Sequence, residues 1–140
     1  MTAYLALQPV PTAAPDFLPE PISEEEGGAM LRAVLTLFQR WALTDDEAAT
    51  LLDLPPRTFA RWKTGQVGRL SRDLKARLSN ILGIHKALRI LFVEPQRGYD
   101  WIRADNVAFG GSSALDVMLN AELTDLMRVR RYLDAERGAW

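Results

Sequence analysis

Apolar residues recur at intervals of three and four positions along most of the chain after Ser23. This spacing places them on one face of an α-helix, and no segment shows the alternation of apolar and polar residues typical of a half-buried β-strand. The clearest stripes consist of Met30, Leu31, Val34, Leu35, Phe38 and Trp41, of Leu74, Leu78, Ile81, Leu82, His85, Leu88, Leu91 and Phe92, and of Leu126, Met127, Val129, Tyr132 and Leu133. Helices with one apolar face bury it by packing against one another, so we expect an all-α fold.

Residues that begin and end helices divide the chain into these elements. We expect helices to begin after Ser23, Thr44, Ser71 and Ser113, because a hydroxyl oxygen there accepts a hydrogen bond from the first turn. Pro95 is expected to stop the long helix that follows Ser71. The stretch after this helix is predicted to be rich in turns because of its glycines, Gly98, Gly110 and Gly111.

Composition excludes several kinds of functional site. The chain of 140 residues contains no Cys and one His, which excludes disulfides, thiol nucleophiles and zinc sites built from Cys and His. No uninterrupted apolar segment approaches the roughly 20 residues of a membrane span, and the amino-terminal segment lacks the features of a signal peptide. We therefore expect a cytoplasmic protein without catalytic residues, metal or cofactor. His85 is interpreted as a partly buried, hydrogen-bonded residue of the core or of a dimer interface.

Charge and proline are distributed unevenly, although the formal net charge is only -1. Residues 1–27 contain five acidic residues and no Lys or Arg, whereas residues 69–97 contain seven basic residues and two acidic ones. Five of the eight prolines fall within the first 21 positions, which disfavours regular structure there. Residues 1–22 are therefore predicted to form a flexible Pro-rich arm. The arm either frays or docks through its apolar residues, Tyr4, Leu5 and Leu7.

The segment from Asp45 to Lys63 fits a helix-turn-helix unit. Such a unit requires small residues where its helices approach and apolar residues that set the angle between them. Here these residues are Ala48, Ala49, Leu52, Leu54, Phe59 and Trp62. Asp53 occupies the turn position that is usually glycine, and Asp tolerates left-handed geometry better than most residues. The alternative interpretation is an ordinary helical hairpin with a solvated face.

The outward face of the second helix of this unit carries candidate DNA-binding residues. Arg57 and Arg61 are four positions apart and share a face, from which arginine can address guanine edges in a major groove. Lys63 and Gln66 lie near the end of the helix, where they could reach phosphates. The predicted DNA-binding residues are thus Arg57, Thr58, Arg61, Lys63 and Gln66. The basic run that follows, residues 69–77, either forms a solvated face or adds phosphate contacts.

Two segments resemble known families. Residues 48–65, AATLLDLPPRTFARWKTG, resemble the Xre-type helix-turn-helix of repressors and antitoxins, and the resemblance of residues 28–140 is to the Xre/MbcA/ParS antitoxin family. The carboxy-terminal half carries two motifs of that family, whose residues here are Trp101, Ile102, Asn106, Phe109 and Gly110 or Gly111, and then Val129, Arg130, Tyr132, Leu133, Asp134 and Ala135. Ala114 departs from the family, which usually has Pro at this position.

The resemblance implies an antitoxin and transcriptional autorepressor. Family members bind a RES-domain toxin that consumes NAD or transfers ADP-ribose, cover its active-site entrance with their carboxy-terminal region, and repress their own promoter. The implied organisation is a helix-turn-helix region over residues 23–68 and a helical toxin-binding and dimerisation domain over residues 69–140. The expected partners are the toxin, promoter DNA and a second copy of the chain. No association with a membrane is expected.

Candidate toxin-binding residues lie at the end of the last helix, where carboxylates and a large aromatic residue come together. They are Arg131, Asp134, Glu136, Arg137 and Trp140. Carboxylates are suited to the basic lining of a cleft that binds phosphates, and Trp is a frequent interface anchor. The alternative for Trp140 is that it folds back onto its own domain. Trp101, Phe109 and Tyr132 are interpreted as core residues.

Two other functions compete with the antitoxin hypothesis. The chain could be a stand-alone helix-turn-helix regulator whose carboxy-terminal domain dimerises or senses a ligand. It could also be an enzyme, but it contains no nucleophile–base pair, metal cluster or Gly-rich phosphate loop to support one. An adjacent gene for a RES-domain protein would distinguish the antitoxin from the stand-alone regulator.

Overall fold

The structure, a computed structural model, describes residues 20–138 of the chain. Within this range it contains seven α-helices and one short 3-10 turn. The helices are α1 (Glu24–Arg40), α2 (Asp45–Leu52), α3 (Pro56–Lys63), α4 (Arg72–Leu91), α5 (Pro95–Arg103), α6 (Ala114–Met118) and α7 (Leu123–Gly138), and the 3-10 turn is Val107–Phe109. The all-α prediction is therefore confirmed. The proposed arm, except for residues 20–22, and Trp140 lie outside the described residues.

The four predicted helix starts are confirmed by the hydrogen bonds of their capping residues. Ser23 and Ser71 each accept a bond of 3.1 Å from the backbone N–H three residues later. Thr44 and Ser113 form complete capping boxes, in which the side chain of Glu47 or Asp116 bonds back to the capping residue's own N–H. These bonds pair N–H groups that the helices leave free at their first turn.

Helix α4 is the centre of the fold. It packs against α1 and α2 on the amino-terminal side and against α5 and α7 on the carboxy-terminal side. Its fully buried residues Leu78, Ile81 and Ile84 join one continuous core with apolar residues of the other helices. Since the same helix packs against both halves of the chain, a disturbance of α4 is expected to affect both.

Helix α5 is the main difference from the sequence prediction, which placed a turn-rich stretch after Pro95. Pro95 lies in the first turn of α5, where its missing N–H costs no hydrogen bond. Gly98 does not make a turn but allows close packing, because a Cβ atom there would lie 3.3 Å from the Cβ atom of Leu88. Pro95 therefore ends one helix and begins the next, and Gly98 lets α5 pack closely against α4.

Arg103 links the end of α5 to the beginning of the helix-turn-helix unit. Its Nη2 atom donates to the carbonyl oxygens of Ala42, at 2.7 Å, and Trp41, at 3.2 Å, just after α1 ends. The same nitrogen lies 3.7 Å from a carboxylate oxygen of Glu47 in the first turn of α2. One side chain thus connects the carboxy-terminal half of the chain to the α1–α2 junction.

Candidate functional site

Helices α2 and α3 have helix-turn-helix geometry. Asp53, directly after α2, adopts the left-handed conformation with φ of 53° and ψ of 44°, as expected for a residue in the place of the usual glycine. Ala48 and Ala49 are buried in α2, and Phe59 and Trp62 are the buried residues of α3. Leu52 is buried as well, and Leu54 is half-buried against the core, so the small and apolar residues predicted to set the packing of the two helices all contribute to it.

The remaining face of α3 presents the predicted DNA-binding residues. Arg57 and Arg61 are exposed, as is Gln66 beyond the helix end, and Thr58 is half-buried. Neither arginine has an ion-pair partner among the described residues. Two positive charges on one exposed helix face can therefore be presented to an anionic partner without first breaking an ion pair.

Lys63 differs from the other candidates because it is already paired. Its Nζ atom donates to Asp45 Oδ1 at 2.9 Å and so joins the end of α3 to the first turn of α2. Both side chains are well exposed, at 43% and 70%. An exposed ion pair of this kind contributes at most about 1 kcal/mol, so the ammonium group can exchange Asp45 for a phosphate at little cost.

The four basic residues of the run over residues 69–77 fall into two groups, one that forms ion pairs and one that is exposed. Arg77 is buried, pairs with Asp73 at 2.7 Å and donates to the Leu51 carbonyl oxygen at 3.3 Å. Lys75 donates to Glu24 at 2.8 Å, and this hydrogen bond lowers the pKa of that carboxyl. Of the basic residues in this run, only Arg69 and Arg72 are exposed. The phosphate-binding interpretation is therefore limited to these two arginines.

An aromatic cluster lies at the carboxy-terminal end of the fold. The rings of Trp101 and Tyr132 are stacked with centroids 6.1 Å apart, and Phe109 meets Tyr132 edge to face at 5.3 Å. The Arg128 guanidinium lies 5.4 Å from the centre of the Phe109 ring, a distance suited to a cation–π contact. Phe109 is buried, whereas Trp101 and Tyr132 are half-buried, so the cluster belongs to the core but also reaches the surface.

The predicted toxin-binding residues of α7 do not share one face. Arg131, Asp134 and Glu136 are exposed, and Arg137 is half-buried. Since successive residues turn by about 100°, Arg131 and Asp134 are about 60° apart around the helix, whereas Glu136 lies about 160° from Asp134. Asp134 also lies 3.7 Å from Arg130 Nε. The structure therefore brings Arg131 and Asp134 together and places Glu136 apart from them, and Trp140 lies outside the described residues.

His85 is a half-buried residue of α4 that faces α5, so the prediction of partial burial is confirmed, whereas the predicted hydrogen bond is not found at its buried Nδ1 atom within residues 20–138. Its ring stacks on Tyr99 with centroids 6.4 Å apart, and its buried Nδ1 atom has no hydrogen-bond partner among the described residues. Burial lowers its pKa, and the positive charges of Arg89 and Arg40 lower it further. Helical spacing alone places Arg89 on the same face of α4 as His85, whereas Arg40, which sequence analysis missed, comes from α1 and approaches His85 only in the folded chain.

A second feature missed by sequence analysis is the exposure of Val107. It is 94% exposed in the 3-10 turn, two positions before the buried Phe109.

Among the described residues, no cluster of three or more His, Asp or Glu side chains is arranged to hold a metal ion. No helix in that part of the chain has the length and apolar character needed to span a membrane.

Two family models match consecutive parts of the chain. The antitoxin Xre-like helix-turn-helix domain matches residues 20–83, and the antitoxin Xre/MbcA/ParS C-terminal toxin-binding domain matches residues 87–138. The uncharacterized protein y4oB of Sinorhizobium fredii is 50% identical over 111 residues, which cover 79% of this chain and 85% of that protein.

A solved structure shares the fold. A chain in the crystal structure of the M. tuberculosis MbcT-MbcA toxin-antitoxin complex matches with a TM-score of 0.53 and 20% identity, over 81% of this chain and 96% of that chain. The two domain matches follow one another along the sequence and together include every helix described above, with α4 shared between them. The chain belongs to the Xre/MbcA/ParS family of antitoxins, with a helix-turn-helix domain followed by a toxin-binding domain.

Proposed function

We propose that this chain neutralises a RES-domain toxin, which consumes NAD or transfers ADP-ribose, and represses the promoter of its own gene. The observation that carries the proposal is the combination, in one chain, of an exposed arginine pair on α3 with a toxin-binding domain. Both activities place the protein in the cytoplasm, where promoter and toxin are found. The proposed division is DNA binding by residues 23–68 and toxin binding by residues 69–140.

For DNA binding, we propose that α3 enters the major groove. Arg57 and Arg61 address base edges, and Thr58 lies beside them at the rim of the same face. Lys63 leaves Asp45 to bind a phosphate, and Gln66 contacts the backbone beyond the helix end. In a homodimer, two copies of α3 would read half-sites about 34 Å apart, so the operator is expected to be palindromic.

For toxin binding, we propose that the end of α7 covers the entrance of the toxin's active site. That cleft binds the phosphates of NAD and so carries positive charge, which complements the carboxylates of Asp134 and Glu136. Because Glu136 lies on the other side of α7 from Asp134, the two carboxylates would meet different walls of the cleft. Arg131 and Arg137 would pair with acidic groups at its rim, and Trp140 would provide the apolar anchor.

The DNA-binding half is tested with the double variant Arg57→Ala/Arg61→Ala. Fluorescence anisotropy with DNA from upstream of the gene should show at least a tenfold loss of affinity, because two charged contacts are removed. The matched control is Lys86→Ala/Arg97→Ala, which removes two exposed positive charges from α4 and α5. Equal losses in the two variants would show that binding depends on overall charge and not on α3.

The toxin-binding half is tested by deleting residues 137–140 and, separately, by Trp140→Ala. Co-expression with the proposed partner, a RES-domain protein encoded by a neighbouring gene, should then arrest growth, while the thermal unfolding of the antitoxin stays within a few degrees of the parent chain. Protection by the truncated chain would rule out the proposed role of this segment. Retained operator binding without any binding of the neighbouring protein would instead favour a stand-alone regulator.

A further inference from the structure

A groove between α1, α4 and α5 brings three basic side chains together. Arg40 comes from α1, and His85 and Arg89 are four positions apart on α4, so they share one face of that helix. The groove has a volume of about 640 Å³, within the range of sites that hold small organic ligands. No residue of α2, α3 or α7 lines it. It is therefore separate from the surfaces proposed above for DNA and toxin.

Within the part of the chain that the structure describes, no acidic side chain lines the groove to balance its positive charges. Neither Arg40 nor Arg89 has an ion-pair partner among the described residues, and both are exposed. Both are close enough to His85 to disfavour its protonation, so the three groups lie within one local field. Like charges gathered without counter-charge repel one another, and an anion between them would remove that repulsion.

His85 can contribute a neutral hydrogen-bond donor to the same place. Its Nδ1 atom is buried and has no partner among the described residues. A lone pair in that position costs less free energy than an unpaired N–H, so the proton of the neutral ring belongs on Nε2. The Nε2–H group is then free to donate to an oxygen atom of a ligand in the groove.

The remaining walls of the groove are mostly apolar or aromatic. Apart from the hydroxyl-bearing Thr36, they are formed by Ala33, Leu37, Leu82, Pro95 and the ring of Tyr99, which stacks on His85. A ligand that contacts both kinds of wall must therefore combine an anionic group with an organic part. Two guanidinium groups are the side chains best suited to the oxygens of a phosphate, because they donate in a planar fork.

We propose that this groove binds a small organic phosphate, with Arg40, Arg89 and His85 on the phosphate and the organic part against Leu37, Leu82 and Tyr99. Such a ligand would bridge α1, in the helix-turn-helix half, and α5, in the toxin-binding half. The proposal does not depend on the identity of the toxin or of the operator. Free inorganic phosphate shares the chemistry of the anionic group and serves as a minimal probe.

Because His85 is the single His of the chain, ligand binding in the groove can be followed through its NMR signals. In the NMR spectrum of the full chain, the His85 ring protons are followed during titration with AMP, inorganic phosphate or adenosine, with chloride keeping the ionic strength constant. We expect saturable shifts with AMP and with phosphate, tighter for AMP, and none with adenosine. A saturable shift with adenosine alone, or no saturable shift with any probe, would overturn the proposal.

A matched pair of variants separates the groove from general charge. Arg40→Gln/Arg89→Gln should weaken AMP binding about tenfold or more, because two charge-assisted hydrogen bonds are lost. Arg32→Gln/Lys86→Gln removes the same charge from exposed positions on α1 and α4 outside the groove and should leave the affinity unchanged. Equal losses in both variants would overturn the proposal. Loss of operator affinity in Arg40→Gln/Arg89→Gln without bound AMP would assign the groove to the DNA backbone instead.

Discussion

Arg130 of α7 lies directly over Gly83 of α4, so closely that a Cβ atom at position 83 would fall 2.5 Å from the guanidinium carbon. The absence of a side chain at Gly83 lets Arg130 reach across α4, where Nη1 lies 3.5 Å from the Ser79 carbonyl oxygen. The glycine of α4 therefore serves the packing of α7, the helix that carries the proposed toxin-binding residues.

Gly83→Ala should change the stability of the parent chain less than that of the Arg130→Ala variant. In the parent chain the gain in helix propensity, about 1 kcal/mol, is offset by displacement of Arg130, so the free energy of unfolding changes little. In Arg130→Ala the obstacle is gone, and the same change should stabilise the protein by about 1 kcal/mol. Urea denaturation of the four chains measures this coupling, and an identical effect in both backgrounds would show that the close approach has no energetic consequence.

Asp53→Gly should stabilise the helix-turn-helix unit. Asp53 adopts a left-handed conformation, with φ of 53°, that glycine adopts without steric cost. We expect a gain of about 0.5–1 kcal/mol in the free energy of unfolding, whereas Asp53→Val should cost at least about 1 kcal/mol. Thermal unfolding of the three proteins provides the comparison. A valine variant as stable as the parent would mean that the turn does not need left-handed geometry.

Arg103→Ala should destabilise the chain by about 1–2 kcal/mol, because two carbonyl oxygens after α1 lose a charged donor. Arg97→Ala is the control, since Arg97 is an exposed arginine of the same helix. Urea denaturation should place the control within about 0.5 kcal/mol of the parent chain. If the two variants unfold alike, the contact of Arg103 with Ala42 and Trp41 contributes nothing to stability.

Stability should depend on pH through His85. Its pKa in the folded chain is below the ordinary value of 6.5, chiefly because of burial and then because of Arg89 and Arg40. The unfolded chain therefore binds more protons just below pH 6.5, and the folded state loses stability as the pH falls through this region, by less than about 1.4 kcal/mol per pH unit. Above about pH 7.5 the stability should be constant with respect to this group. Denaturation between pH 5.5 and 7.5 should show this slope in the parent chain and a flatter one in His85→Asn; equal slopes would contradict it.

The sequence predicted those parts of the fold that depend on local chemistry. The helix starts at Ser23, Thr44, Ser71 and Ser113 and the left-handed turn at Asp53 follow from residues that act within one turn of their position. Helix α5 was not predicted, because Pro can either end a helix or occupy the first turn of one, and Gly can either form a turn or allow close packing. Gly98 is explained by the approach of Leu88, ten positions away in the chain, which no local pattern contains.

The same distinction, between local interactions and contacts of positions far apart in the chain, applies to the candidate sites. Exposure of Arg57 and Arg61 could be predicted, because helical spacing alone places them opposite Phe59 and Trp62. The pairing of Lys63 with Asp45 could not, because these residues are 18 positions apart. For the same reason, the burial of Arg77 within a basic run, and the convergence of Arg40 from α1 on His85 and Arg89 of α4, became visible only in the folded chain.

Inhibition of the proposed partner, a RES-domain toxin encoded by an adjacent gene, is the most direct test of the proposed antitoxin activity. NAD consumption by the purified toxin is measured while the full-length chain is added in increasing amounts. We expect consumption to fall to background at a fixed stoichiometric ratio, equally for the parent chain and for Arg57→Ala/Arg61→Ala, with much weaker inhibition by the chain lacking residues 137–140. NAD consumption that stays unchanged at a saturating excess of the parent chain would contradict the proposed function.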